Sequence, residues 1–218
     1  MNKAFIFDMD GVIVDSERTW KIHDDAFLRK TLGKEVFEKM GSIVGLSVNS
    51  TYERAVSHGA SIDKEEFSNK YNEAAANIYS KAPITEGVEK LASFLITKGF
   101  KLGLVTSSQK SSIDCVIPQL SFRDHLDTVI SLNDRPDLKP KPNPDGYLEA
   151  FKCLNADAKR SIILEDSNYG IAAAKATGAY VVGYRGNLIE GYEQRDANDY
   201  ADTMNDVITL VEKFITQP

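Results

Sequence analysis

The sequence predicts an α/β fold, with a parallel sheet flanked by helices and an all-helical segment inserted after the first strand. Short apolar runs typical of buried strands alternate with segments of helical periodicity through most of the chain. Acidic or hydroxyl residues follow directly where several of these runs end. Between residues 16 and 82 the strand-like runs disappear and only helical periodicity remains. These three observations together predict the fold class.

The first predicted strand leads straight into two aspartates. Four apolar residues, 4–7, precede Asp8, Met9, Asp10 and Gly11. Asp8 would be the first residue after the strand, Asp10 would lie in the turn, and Gly11 would let the backbone fold back tightly. Two carboxylates this close repel each other, and an oxygen-preferring divalent ion such as Mg²⁺ would let both stay ionised. Taken alone, the pattern fits a plain strand end equally well.

The segment of residues 16–82 is expected to form several helices. Asp15 or Ser16 can cap the first of them. Four apolar faces follow, separated by glycines, and the aromatic residues among them are expected to pack rather than to stack on a substrate. We therefore predict an α/β core domain of residues 1–15 and 83–218 and a helical domain of residues 16–82.

After residue 83 the alternation of strands and helices resumes. Apolar runs predict four further strands, at residues 102–105, 126–130, 161–164 and 179–182. Helical spacing predicts helices between these strands and a final amphipathic helix over residues 207–214. Strands that alternate with helices predict a Rossmann-like parallel sheet with right-handed crossovers.

Polar groups of complementary kinds follow four of the predicted strands. In chain order they are Asp8 and Asp10; Thr106, Ser107 and Ser108; Lys139 and Lys141; and Glu165 and Asp166. Because the carboxyl ends of parallel strands meet at one edge of the sheet, we expect these groups to converge. Carboxylates with Mg²⁺, hydroxyls and a lysine together suit a phosphoryl group.

Each of these groups also has a simpler interpretation. The hydroxyls of Thr106, Ser107 and Ser108 can cap a helix, and Glu165 and Asp166 can form a first helical turn favoured by the helix dipole. The three histidines, His23, His58 and His125, show no metal-ligand spacing and are interpreted as surface or core residues. A catalytic site is favoured over these simpler interpretations because all four polar groups follow predicted strands in a consistent order.

Composition restricts the partners and the compartment. The formal net charge of the 218 residues is −6, and the chain lacks a long basic run, which argues against a nucleic-acid partner. Cys115 and Cys153 are too few for a zinc cluster or a disulfide framework, so a reducing compartment is expected. The N-terminus opens into a strand and no apolar run approaches membrane-spanning length. We expect a cytoplasmic monomer with no membrane partner.

Four motifs give the chain a family resemblance. They are DMDGV at residues 8–12 with DSE at 15–17, LVTS at 104–107, KPNPDGY at 141–147, and EDSNYGI at 165–171 with AAAKA at 172–176. On these motifs the chain resembles the haloacid dehalogenase superfamily, subfamily I. It looks most similar to the branch that holds β-phosphoglucomutases, phosphoglycolate phosphatases and sugar-phosphate phosphatases. The resemblance covers nearly the whole chain and is loosest in residues 16–82, which resemble the family's helical cap.

The resemblance implies roles for the catalytic candidates. Asp8 resembles the nucleophile that becomes an aspartyl-phosphate. Asp10 resembles the general acid that later acts as the general base, with a backbone carbonyl that also binds metal. Lys141 resembles the lysine that bridges nucleophile and phosphate. Lys139 remains the alternative, and the family's spacing to Asp145 favours Lys141.

The resemblance also implies the binding residues. Thr106 resembles the hydroxyl that binds the transferring phosphoryl oxygens, and Ser107 and Ser108 assist it. Glu165 and Asp166 resemble the acids that hold Mg²⁺, Asp166 more directly.

The implied activity is that of a Mg²⁺-dependent phosphatase of a small phosphorylated metabolite, such as a sugar, polyol or glycolate phosphate. The alternatives are a β-phosphoglucomutase-like phosphomutase and a non-catalytic phosphate-binding relative. The resemblance disfavours the mutase because three cap positions differ. Trp20 occupies the position where the mutases have a histidine, and His23 lies almost a helical turn later. Val48 occupies the position of a mutase arginine, and Tyr71 that of a mutase lysine.

Overall fold

The structure is a computed structural model that describes residues 1–43 and 45–216, except for the side chains of residues 17 and 21–25. Within these ranges the chain forms six β-strands and nine α-helices. The strands are β1 (Ala4–Phe7), β2 (Lys101–Thr106), β3 (Leu126–Ser131), β4 (Ile162–Glu165), β5 (Tyr180–Tyr184) and β6 (Asp199–Ala201). The helices are α1 (Ser16–Leu32), α2 (Lys34–Met40), α3 (Val48–Ser57), α4 (Lys64–Tyr79), α5 (Val88–Thr97), α6 (Lys110–Val116), α7 (Asp145–Cys153), α8 (Asn168–Lys175) and α9 (Met204–Thr216).

The strands form one parallel sheet in the order β3-β2-β1-β4-β5-β6, which confirms the predicted α/β class. Phe5 of β1 pairs with Leu102 of β2 on one side and with Ile162 of β4 on the other. The strand order reverses at β1, since β2 and β3 lie on one side of it and the later strands on the other. Ligands of open α/β sheets bind outside the carboxyl ends of the strands at such a switch point.

Helices cover both faces of the sheet because alternate residues of β1 point in opposite directions. Phe5 and Phe7 belong to one buried cluster, with apolar residues of α5, α6 and α9. Ala4 and Ile6 belong to a second cluster, with residues of α7 and α8. All four residues are fully buried, so β1 is rigidly held and the position of the residues that follow it is well defined.

Helices α1–α4, hereafter the cap, have a buried cluster of their own that includes Leu28, Val48 and Phe67. The chain crosses between core and cap twice, and the two crossings run side by side. Asp15 N–H donates to the Pro83 carbonyl, and Thr85 N–H donates to the carbonyl of Ile13, both at 2.9 Å. These contacts support the proposed division into a core of residues 1–15 and 83–218 and a cap of residues 16–82.

Some predicted boundaries differ from the structure. Strand β6 was not predicted, because its three residues form no apolar run and lie at the sheet edge. Thr106 and Glu165 are the last residues of their strands rather than the first residues after them. Helix α8 begins at Asn168, where the Ser167 side chain accepts a capping hydrogen bond from Gly170 N–H.

Candidate active site

A buried cluster of charged groups lies at the carboxyl ends of β1 and β4. Lys141 Nζ donates to Asp8 Oδ1 and to Glu165 Oε1, each at 2.6 Å. The Lys141 side chain is 3% exposed and that of Glu165 is fully buried, so bulk water does not screen these contacts. The backbone N–H of Asp8 donates to the Leu164 carbonyl at 3.0 Å, which extends the β1–β4 pairing to the first residue after β1.

The protonation of this cluster follows from burial and from mutual attraction. Burial raises the pKa of Asp8 to about 8, although the neighbouring Lys141 lowers it. Burial also lowers the pKa of Lys141, but the carboxylates of Asp8 and Glu165 outweigh this effect and raise it above its ordinary value. Lys141 is therefore a permanent cation at neutral pH.

Of the two candidate lysines, the geometry favours Lys141. Lys139 is exposed, and its backbone N–H donates to Asp145 Oδ2 at 3.1 Å, at the start of α7. Lys139 helps to position this helix, whereas Lys141 enters the acidic cluster.

Three carboxylates could hold a cation. Asp8, Glu165 and Asp166 each offer one oxygen, and these oxygens lie within 4.8 Å of one another. Such a set of buried oxygen donors suits a hard divalent ion. Glu165 is further constrained, because the Tyr147 hydroxyl donates to its Oε1 and Ser167 N–H donates to its Oε2. A role of Asp10 as a metal ligand through its backbone carbonyl stays a prediction.

Gly11 allows the turn after β1 to pass directly over Asp166. Its φ is +69°, and a Cβ atom at this position would lie 2.0 Å from Asp166 Oδ2. Any side chain here would both strain the backbone and displace this carboxylate. The glycine of the first motif therefore lies against the candidate metal ligand Asp166.

Four hydroxyl groups surround the Asp10 carboxylate. Ser16 Oγ donates to Oδ1 at 2.6 Å, and the Tyr79 hydroxyl donates to the same oxygen at 2.5 Å. Ser108 Oγ donates to Oδ2 at 2.7 Å, and Thr106 Oγ1 lies 3.4 Å from it. Burial, and then the Asp10 charge, raise the pKa of Tyr79 well above its ordinary value, so its hydroxyl stays a donor.

The predicted phosphate-binding hydroxyls meet at the same edge of the sheet. Thr106 is fully buried, and its Oγ1 accepts a hydrogen bond from Ser108 N–H at 3.0 Å. Ser107 Oγ donates to the carbonyl of Gly45 in the cap at 3.1 Å. The simple helix-cap interpretation of the three hydroxyls is wrong, since Gln109 is the N-cap residue of α6 and that helix receives no side-chain cap.

The expected cap at the start of α1 is also absent. Asp15 occupies the N-cap position, but its side chain makes no capping hydrogen bond, and Ser16 bonds to Asp10 instead. Of the resemblance motif at residues 15–17, Glu17 lies outside the described side chains.

A cavity of about 320 Å³ opens above the cluster, between core and cap. Trp20, Phe37, Tyr71 and Tyr79 line it from the cap, and Trp20 stacks on Tyr71 with ring centroids 4.9 Å apart. Tyr71, Tyr79 and Phe37 pack against buried clusters, as predicted for the cap aromatics, and they also line this cavity. A core loop, residues 189–192, closes the opposite side.

Sequence reasoning missed several residues of the site. Tyr147 and Tyr79 fit apolar helical positions, and Ser16 fits a helix cap, so each had a sufficient structural explanation. A signal for Tyr79 was its position four residues before Pro83, where the chain returns to the core. The loop of residues 189–192 carried no pattern that could have identified it.

The other candidate ligands lie elsewhere. His58 and His125 are exposed, and His23 lies outside the described side chains. Cys115 and Cys153 are free thiols in α6 and α7. Among the helices that the structure describes, none has both the length and the apolar character needed to cross a bilayer.

Comparisons with known proteins agree with this geometry. A family model described as haloacid dehalogenase-like hydrolase matches residues 5–184. Validoxylamine A 7'-phosphate phosphatase from Streptomyces hygroscopicus subsp. limoneus is 29% identical over 84% of this chain and 85% of its own. Hexitol phosphatase B from Escherichia coli (strain K12) is 27% identical over 79% of each chain. The crystal structure of β-phosphoglucomutase from Clostridium difficile superposes with a TM-score of 0.75 at 25% identity, over 99% of this chain and 98% of that one.

Proposed function

Because the chain belongs to the haloacid dehalogenase-like hydrolase family, we propose that it is a metal-dependent phosphatase of a small phosphorylated metabolite. It is a phosphoric monoester hydrolase in this proposal, with Asp8 as the nucleophile. The observation that carries the proposal is the pairing of Asp8 with Lys141 at 2.6 Å, at the floor of the cavity. The pairing holds a carboxylate oxygen and a permanent cation side by side. A phosphoryl group bound there could be attacked by the carboxylate oxygen while the cation neutralises its charge.

In the first step an Asp8 carboxylate oxygen attacks phosphorus, and the bond from phosphorus to the leaving oxygen breaks. Asp10 gives its proton to that oxygen, so the leaving group departs as a neutral alcohol. The Lys141 ammonium neutralises charge on the phosphoryl oxygens. Thr106 and Ser108 can turn their hydroxyls from Asp10 Oδ2 to these oxygens once substrate is bound.

In the second step Asp10 acts as a base. It takes a proton from a water molecule, the water oxygen attacks phosphorus, and the bond to Asp8 breaks. Inorganic phosphate leaves and the Asp8 carboxylate is restored. The seated cap limits access of other water molecules to the site, which protects the acyl phosphate between the two steps.

A divalent cation fits the oxygens of Asp8, Glu165 and Asp166, and we propose Mg²⁺. When bound, it would supply positive charge next to the phosphoryl oxygens and keep Asp8 ionised at neutral pH. Lys141 and Tyr147 hold Glu165 in place for this role.

The cavity favours a substrate with one phosphate and an uncharged leaving portion. Among the described side chains that line it, Lys141 alone carries a positive charge. Val48 is buried in the cap cluster, and Arg54 of α3 is already bonded to Tyr169 in the core at 2.7 Å. A second phosphate on the substrate would therefore lack a cationic partner among these groups. A sugar or polyol phosphate is the class that we propose on this ground, and glycolate phosphate, whose leaving portion carries a carboxylate, is the less favoured third candidate. The enzyme is proposed to be a cytoplasmic monomer.

Two other functions stay possible within the family, a phosphomutase and a non-catalytic phosphate binder. A panel of phosphorylated sugars, polyols and glycolate with Mg²⁺, followed by inorganic phosphate release, tests the binder: turnover of any member excludes it. β-Glucose 1-phosphate with catalytic glucose 1,6-bisphosphate tests the mutase. We expect inorganic phosphate as the product, and conversion to glucose 6-phosphate faster than phosphate release would contradict the hydrolase proposal.

A further inference from the structure

The two hydrogen bonds to Asp10 Oδ1 come from opposite ends of the cap. Ser16 is the first residue of α1, and Tyr79 is the last residue of α4. Both donate to the same oxygen, at 2.6 and 2.5 Å. The position of one carboxylate oxygen in the core therefore depends on both segments that join the cap to the core.

Tyr79 is held rigidly at this point. Its side chain is buried, and its ring meets that of Trp20 edge to face, with centroids 6.4 Å apart. Its hydroxyl also lies 2.9 Å from Ser108 Oγ, at the end of β2. The hydroxyl thus connects a cap helix to the loops after two core strands.

The two oxygens of Asp10 face different partners. Oδ2 faces Ser108 and Thr106, the hydroxyls proposed to bind the phosphoryl group, whereas Oδ1 faces the cap junction. The leaving oxygen is attached to the phosphoryl group, so Oδ2 is the oxygen placed to exchange a proton with it. The Tyr79 hydroxyl holds Oδ1 on the side of the cap junction and thereby leaves Oδ2 on the side of the phosphoryl-binding hydroxyls.

We propose that Tyr79 is a positioning residue that aims Asp10 Oδ2 at the leaving oxygen when the cap is seated on the core. This inference rests on the proposed phosphatase function. It assigns Tyr79 no contact with the reacting atoms: its hydroxyl acts through Asp10, to which it donates a hydrogen bond. Alignment of the acid would then depend on the cap position, since Tyr79 ends a cap helix.

The variant Tyr79→Phe tests the proposal because it removes the hydroxyl and keeps the ring against Trp20. The readout is kcat/KM for two substrates, the most active alkyl phosphate of the panel and p-nitrophenyl phosphate. Departure of an alkoxide needs the proton of Asp10, whereas p-nitrophenolate is a weak base and leaves without it. We expect kcat/KM to fall roughly tenfold for the alkyl phosphate and less than about twofold for p-nitrophenyl phosphate.

Two further variants accompany it. Tyr52→Phe removes a cap hydroxyl that lies far from Asp10, 3.4 Å from the Ile62 carbonyl, and should leave both substrates unaffected. Ser16→Ala removes the other donor to Oδ1 and should reproduce the dependence on the leaving group. Equal losses on the two substrates in Tyr79→Phe, or no loss on either, would overturn the positioning role. If the wild-type protein releases no phosphate from either substrate, the proposed function itself is contradicted and the inference falls with it.

Discussion

The ammonium group of Lys141 lies 2.6 Å from the carboxylate of Asp8, a residue 133 positions earlier in the chain. The sheet explains this proximity, since Asp8 directly follows the central strand β1 and Lys141 comes from the loop that crosses from β3 to α7. Because both side chains are buried, each charge is stabilised mainly by the other. Either charge alone would be costly in this environment, and each compensates the other when the two are paired.

The first prediction concerns the choice between the two lysines. Lys141→Ala should lower kcat at least about a hundredfold, because it removes the cation beside the nucleophile and leaves two buried carboxylates without it. Lys139→Ala is the matched control, since Lys139 is exposed on the same loop, and it should retain activity within about twofold. Steady-state phosphate release measures both, and a larger loss in Lys139→Ala would reverse the assignment.

The second prediction separates the two neighbouring acids. Asp166→Ala should weaken Mg²⁺ binding more than Glu165→Ala does, because Glu165 Oε1 is occupied by Lys141 and Tyr147. Glu165→Ala should instead destabilise the metal-free protein more than Asp166→Ala does. It removes one of the two carboxylates paired with the buried Lys141 and leaves the Tyr147 hydroxyl without its acceptor, at a cost of about 1–3 kcal/mol. Mg²⁺ titration and denaturant unfolding give the two rankings. The reverse order in either ranking would contradict these roles. Full activity in excess EDTA would contradict the need for a metal.

The third prediction is a pH dependence of metal binding. Burial raises the pKa of Asp8 to about 8 in the metal-free protein, so below this pH a cation must displace a proton to reach the carboxylate. Mg²⁺ affinity should therefore rise about tenfold per pH unit as pH increases from about 6 to about 8, and then level off. Calorimetric titration in two buffers detects the released proton. Asp8→Asn should abolish the slope, and a pH-independent wild-type affinity would refute the linkage.

The fourth prediction compares two glycines that both have a positive φ. Gly11 and Gly33 both have positive φ, at +69° and +85°, but a Cβ on Gly33 meets no atom within 4 Å. Gly33→Ala should lower the free energy of unfolding by about 1 kcal/mol through strain alone. Gly11→Ala should cost more and should also weaken Mg²⁺ binding, because its Cβ displaces Asp166. Unchanged Mg²⁺ affinity in Gly11→Ala would show that the turn does not hold the ligand.

The sequence predicted the sheet and the convergence of polar groups well because both depend on local patterns. The apolar run before Asp8 indicates a buried strand by itself, and parallel topology then brings the ends of β1, β2 and β4 together. For the loop lysine, the family's spacing to Asp145 already favoured Lys141 over Lys139. The burial of Lys141 in the folded chain supports the same choice.

What the sequence could not supply were contacts made across the fold. The Tyr79 hydroxyl reaches Asp10 over 69 positions, and Tyr147 reaches Glu165 from a helix where a tyrosine is an ordinary core residue. Strand β6 was missed because an edge strand of three residues needs no apolar run. Each of these features depends on tertiary neighbours, which override local propensity.

The most direct test of the account compares inorganic phosphate release by wild-type protein and by Asp8→Asn, with Mg²⁺ and the most active substrate of the panel. The substitution keeps the size of the side chain and removes the nucleophilic carboxylate. The other carboxylate beside Lys141, that of Glu165, is fully buried and already accepts from the Tyr147 hydroxyl. The account predicts a loss of activity of more than about a hundredfold with the fold retained. Activity in Asp8→Asn above about one hundredth of the wild-type value would contradict nucleophilic catalysis by Asp8.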